Sequence, residues 1–206
     1  MLHQSPELKT DKDKFSYALG MNFGVSLRSQ GLDLDPTLFA GAFAAAFETG
    51  KTAMSEQEME AVLTVAAQDL HKKQAEKDEK VKLDGEKFLA ENKSRDGVVT
   101  LPSGLQYKVL TQGKGEKPAF HDSVSCHYRG TLIDGTEFDS SYNHGAPVTF
   151  PLRGVIRGWT EALQLMAVGS KWQLFIPSDL AYGEQGPPGI GPNATLIFEV
   201  ELVAIQ

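Results

Sequence analysis

The chain of 206 residues holds a single cysteine, Cys126, which excludes an internal disulfide and any zinc site that needs two or more thiolate ligands. Basic residues are in deficit, with 20 Lys+Arg against 27 Asp+Glu and a formal charge of -7. That is the wrong sign for neutralising phosphates, so nucleic acid is not an expected partner. Long hydrophobic runs are missing too: the longest unbroken apolar stretch, Ala42 to Phe47, falls far short of the roughly 20 residues that cross a bilayer. The five histidines, His3, His71, His121, His127 and His144, have no metal-ligand spacing, and no Gly-x-Ser-x-Gly elbow occurs. Gly113-Lys114-Gly115 runs into Pro118 and then a strand, so it fails as a phosphate cradle. Covalent, metal and nucleotide chemistry all lack support, and no cofactor or metal is expected. Met1 to Thr10 lack the basic start and apolar stretch of a leader. The expected location is the cytoplasm as the sequence is written, or the periplasm or cell envelope if a leader has been removed.

What is present is a chain of two characters. Fourteen of the twenty glycines and eight of the ten prolines fall from Gly97 onward, so the second half must turn often and the first half is free to be helical. The expected division is an N-terminal helical dimerisation region at 1–54, a long connecting helix at 55–97 whose first turns join the dimer core, and a second domain at 98–206. In the first region Leu19, Phe23 and Leu27 lie four apart, which predicts a short amphipathic helix over Phe15 to Leu27. A second helix has Asp35 as N-cap, Pro36 at its first position, Phe39, Phe43 and Phe47 along one stripe and Gly50 as stop. The third opens on a capping box of Ser55 and Glu58. Its apolar stripe fades after Leu70, but opposite charges recur four apart in Asp69/Lys73, Glu76/Lys80 and Asp78/Lys82. The helix is expected to continue to about Lys93, on the order of 55 to 60 Å; a disordered charged linker is the alternative, and Gly85 is a candidate interruption. Two short helices with a phenylalanine stripe cannot bury their own apolar faces, which predicts a homodimer with Leu19, Met21, Phe23, Phe39, Phe43, Phe47 and Met59 at the interface.

In the second half, alternation predicts strands over Gly104 to Val109, Ser123 to Tyr128, Lys171 to Ile176 and Thr195 to Leu202. Asp134-Gly135 is a hairpin turn between Leu132-Ile133 and Thr136 to Phe138. One short helix is expected over Gly158 to Met166, with Trp159, Leu163 and Met166 on one side. The fold class is therefore α+β, a twisted antiparallel sheet packed on one short helix, preceded by the all-α region. Aromatic residues are denser here than a core requires. Trp159 stands out, because Gly154-Val155-Ile156-Arg157-Gly158 sets a large flat residue just after a glycine-bracketed loop at a helix start, which suits the floor of a pocket.

These strings resemble a known family. Cys126-His127-Tyr128-Arg129-Gly130, Asp134 to Ser141, Val155-Ile156-Arg157-Gly158-Trp159, Ala181-Tyr182-Gly183 and Ala194 to Phe198 occur in order and are similar to the FKBP (macrolide-binding immunophilin) family of peptidyl-prolyl cis-trans isomerases. Pro102 to Tyr107 and the helical first half resemble its bacterial macrophage infectivity potentiator subgroup. The resemblance implies an isomerase with no covalent intermediate and with chaperone activity, acting on proline-containing unfolded or partly folded proteins. It also implies inhibition by macrolides of the FK506 and rapamycin type, and a V-shaped homodimer joined through its N-terminal helices. It assigns catalytic roles to Asp139, Tyr182, Tyr128, Phe138 and Trp159, and substrate contacts to Val155, Ile156, Phe198, Ile190, Phe150 and His144. Trp159 would be the floor, the Tyr182 hydroxyl would meet a substrate carbonyl, and Asp139 would shape the field around the proline amide, unless it serves to fix its own loop. His144 stands where many relatives have arginine, so an ion pair with Asp139 would depend on pH. The other reading of such a pocket is a holdase that captures apolar or proline-containing segments without turning them over.

Overall fold

A computed structural model of the chain describes residues 7–206, the side chain of His144 excepted. Two compact units are present, Met1–Val65 and Ala66–Gln206.

The first unit is helical. Helix α1, Asp11–Ser29, starts on a capping box in which the Thr10 hydroxyl accepts the Asp13 N–H at 3.1 Å and the Asp13 carboxylate accepts the Thr10 N–H at 2.8 Å. It therefore begins ahead of the apolar stripe at Phe15, and two residues past Leu27 also remain helical. Helix α2, Pro36–Glu48, starts as its punctuation predicts, with Asp35 Oδ1 accepting the N–H groups of Thr37 and Leu38. Neither helix buries a single residue. Helix α3, Glu56–Asn92, is opened by Ser55, whose hydroxyl accepts the Glu58 N–H while Glu58 accepts the Ser55 N–H at 2.8 Å. The helix is unbroken over its 37 residues, so the linker alternative is set aside. Gly85 does not interrupt it, although glycine costs about 1 kcal/mol relative to alanine inside a helix. Of the three charge pairs, Asp69–Lys73 closes at 2.7 Å. Asp78 instead accepts the Gln74 amide at 2.7 Å, and neither Glu76/Lys80 nor Asp78/Lys82 forms an ion pair.

The second unit is an antiparallel sheet with a helix on one face. Its strands are β1 Val98–Thr100, β2 Gln106–Thr111, β3 Ser123–Leu132, β4 Glu137–Ser140, β5 Val148–Pro151, β6 Lys171–Ile176 and β7 Leu196–Ile205. They lie in the order β1-β2-β6-β7-β3-β4, with β5 also paired to β3. The long central pair is β3 and β7, joined from Val124↔Ile205 to Leu132↔Leu196 with a register shift between Ser125 and Cys126. Alternate residues of β3, β6 and β7, Val124 and Cys126 with Leu174, Ile176, Leu196, Val200 and Leu202, form one buried core with Ala162 and Leu163 of helix α4, Arg157–Leu163. The helix ends three residues before Met166, which is buried in the following turn.

Candidate active site

The site is built where the inward row of β3 meets the start of α4. Three rings stand nearly upright on the Trp159 indole: Tyr128 at 5.3 Å and 83°, Phe150 at 5.6 Å and 82°, and Phe198 at 5.2 Å and 79°. Edge-to-face contact of this kind sets the positive ring edge on the negative ring face, which is the favoured arrangement of aromatic pairs. Phe138 closes against Phe198 at 5.5 Å and 86°. Gly130 makes that closure possible, because a Cβ there would lie 2.7 Å from both the Phe138 and the Phe198 ring. Trp159, the ring common to these contacts, is only 4% exposed, and its indole N–H finds no acceptor among the described residues.

Polar groups fix one wall. The Tyr128 hydroxyl donates to Asp139 Oδ2 at 2.8 Å. Burial raises the Tyr128 phenol above its ordinary value, and the bond to Asp139 raises it further, so the ring remains a neutral donor. The Ser141 hydroxyl, fully buried, lies 2.9 Å from the Tyr128 N–H and 3.2 Å from both the Tyr128 carbonyl and His127 Nδ1. His127 in turn stacks on Tyr142 at 5.0 Å and 5°. On the outer face Arg129 pairs with Glu137 at 2.6 Å and holds its carboxyl below the usual range. The segment carrying Asp139 is thus tied to β3 on both sides of the carboxylate, which itself is exposed.

Of the residues singled out in the sequence, Tyr128, Phe138, Phe150, Trp159 and Phe198 come together in this cluster. Val155, Ile156 and Ile190 are half-buried against the hydrophobic core that includes Tyr128, Trp159 and Phe198. The Ile156 carbonyl also accepts the Trp159 and Thr160 N–H groups, which starts α4. Tyr182 stands apart from the ring contacts and is 42% exposed. The expected His144 contact lies outside the described residues. Ser141, His127 and Gly130 were not singled out for the site; alternation along β3 marks His127 as outward, but no local pattern reveals the Ser141 bridge. Among the described residues no group of three or more His, Cys, Asp or Glu is placed to hold a metal, and no helix is long and apolar enough to cross a membrane. The interface candidates Leu19, Met21, Phe23, Phe39, Phe43, Phe47 and Met59 are all exposed in the single chain, Phe47 to 80%.

Residues 114–203 match the family "FKBP-type peptidyl-prolyl cis-trans isomerase", and residues 12–109 match "Domain amino terminal to FKBP-type peptidyl-prolyl isomerase". "Outer membrane protein MIP" of Legionella longbeachae is 46% identical over 97% of this chain and 88% of its own. "Peptidyl-prolyl cis-trans isomerase Mip" of Coxiella burnetii is 44% identical over 99% and 91%. The crystal structure of FkpA from Escherichia coli superposes with a TM-score of 0.73 at 39% identity, covering 97% of this chain and 99% of that one.

Proposed function

We propose that this chain, which belongs to the FKBP-type peptidyl-prolyl cis-trans isomerase family and is an enzyme of that class, turns the X-Pro bond in the aromatic cup over Trp159. Rotation about that bond faces a barrier of about 18 to 20 kcal/mol because the planar amide is resonance-stabilised. The twisted amide loses this resonance and with it much of its carbonyl dipole. A water-poor cup of ring edges therefore suits the twisted form better than the planar one, which is transition-state complementarity without a bond being made. Lowering the barrier by about 5 kcal/mol would accelerate exchange roughly 10^4-fold. Within this reading Phe138, Phe150, Phe198, Val155 and Ile156 form the apolar walls, and Ile190 is a further substrate contact. The exposed Tyr182 hydroxyl donates to a substrate carbonyl. Asp139 orients the Tyr128 phenol and sets the field beside the amide.

The observation that carries the reading is the upright arrangement of three rings on one indole, with the polar Tyr128–Asp139 pair confined to one wall. Isomerisation of a short proline peptide and of a protein with proline-limited refolding tests it. Asp139→Ala and Tyr182→Phe are each expected to lower kcat/KM by about tenfold, the loss of one hydrogen-bond-sized contribution in the transition state. Parent-like values in both variants would overturn these roles. A macrolide of the FK506 type is expected to compete with the peptide.

The unburied apolar faces of α1 and α2 favour a second activity beside the first. In this reading residues 1–54 form a dimerisation region, 55–97 the connecting helix and 98–206 the isomerase domain. A homodimer joined through the first region offers two sites and an apolar surface to one unfolded client. Suppression of client aggregation should persist in Asp139→Ala, because holding a segment does not require turning it.

A further inference from the structure

We propose that the last two turns of α3 are a positioning element for catalysis, acting through Gly85 and Thr195 on the loop that carries Tyr182 and Ile190. The inference rests on the reading of those two residues as site groups. Within the second unit this end of α3 is seated by contacts that a solvated connector would not need. Gly85 is buried against Thr195: a methyl group there would collide with the Thr195 hydroxyl and lie 3.2 Å from its Cβ. Phe88 packs on Phe175 at 5.9 Å, and the Arg95 guanidinium lies over the Phe88 ring at 5.5 Å. Gln106 Nε2 donates to the Leu89 carbonyl at 2.9 Å, and the fully buried Asn92 donates to Gln106 Oε1 at 2.9 Å.

Besides Gln106 at the start of β2, α3 touches the two ends of one loop. Phe175 lies next to last in β6, from which the chain leaves for Tyr182. Thr195 immediately precedes β7, by which the chain returns after Ile190 and enters the strand that bears Phe198. The loop is closed on itself by the Asn193 N–H donating to the Gly183 carbonyl at 2.7 Å, and β6 and β7 pair at its base through Ile176↔Leu196 and Phe175↔Ile197. The helix end is therefore a splint across the loop's base. Glycine at position 85 permits the close approach that loads it.

The full chain is compared with Gly85→Ala, with Phe88→Ala, which removes a contact without adding bulk, and with each combined with Thr195→Ala. Amide hydrogen exchange over residues 183–195 and kcat/KM on a proline peptide are measured. Both single variants should exchange faster in that segment and lose kcat/KM on the order of tenfold, as small misplacements of positioned groups do. Thr195→Ala should restore Gly85→Ala but not Phe88→Ala. If exchange quickens only within Gly85–Asn92 while kcat/KM stays at the parent value, or if neither variant changes anything, the proposal is overturned. Should Gly85→Ala fail to fold, Phe88→Ala decides alone. A failure of the site reading is distinguishable: Tyr182→Phe would then keep parent activity while exchange in the loop still reported the splint.

Discussion

Cys126 and Tyr128 share the inward row of β3, and both hold their protons more tightly than they would in water. Burial pushes the Cys126 thiol from 9.0 up to about 12, and burial followed by the Asp139 contact moves the Tyr128 phenol in the same direction. A folded-state pKa above the unfolded one means that the unfolded chain releases its proton first. The stability contribution is then whole below pH 9 for the thiol and is lost as pH rises toward its folded value. A gap of about three units corresponds to about 4 kcal/mol, with Tyr128 adding a loss of the same sign above pH 10. Urea unfolding at pH 8 and pH 11 should show about two thirds of the thiol's decline, the rest falling above pH 11. Cys126→Ala starts less stable because it leaves a small cavity, but it should lose less between the two pH values. An equal loss in parent and variant would mean that the thiol is not the titrating group.

Among the elements, α3 has the most local start and the least local end. At its N-terminus Ser55 and Glu58 satisfy each other's backbone donors, so Ser55→Ala should cost about 1 kcal/mol in thermal unfolding, and Ser55→Asp should recover most of it. No loss on truncation would show that the cap is redundant. Such short-range chemistry is what a sequence displays: the caps of α2 and α3, the turn at Asp134-Gly135 and the alternation of β6 and β7 were all legible. Strand β1, three residues long, is too short to show a period of two, and β5 ends on Pro151, which lacks the donor of an ordinary strand residue. Gly85 looked like a helix defect because its partner, Thr195, lies more than a hundred residues away in the chain. The same distinction applies to the site. Its motifs marked Trp159 and Tyr128, whereas the Tyr128–Asp139 bond and the Ser141 bridge arise only when β3 and β4 pair, with Gly130 opposite Asp139 and Arg129 opposite Ser140.

For the molecule as a whole, the unresolved demand is the apolar surface of its first unit. Helices of 19 and 13 residues that bury nothing are marginal on their own in water, and a contiguous apolar face on that scale marks an interaction surface. Phe43 and Phe47 already stack on one another at 5.6 Å and 13°, which presents a flat aromatic step to a partner. A second copy is the occupant expected, and Phe43→Glu tests it by placing a charge where burial is required. Sedimentation should show a dimer for the parent and a monomer for the variant. The peptide kcat/KM should be unchanged, since Phe43 lies outside the aromatic cup. Refolding of a long client with several prolines should fall by at least about tenfold, because linked sites gain through effective concentration and a monomer cannot. The two assays separate because a tetrapeptide occupies one site at a time and is blind to linkage, whereas a long chain that dissociates from one cup is still held near the other. A variant that remains dimeric, or a monomer that refolds the client as the parent does, would remove the role given to the first unit.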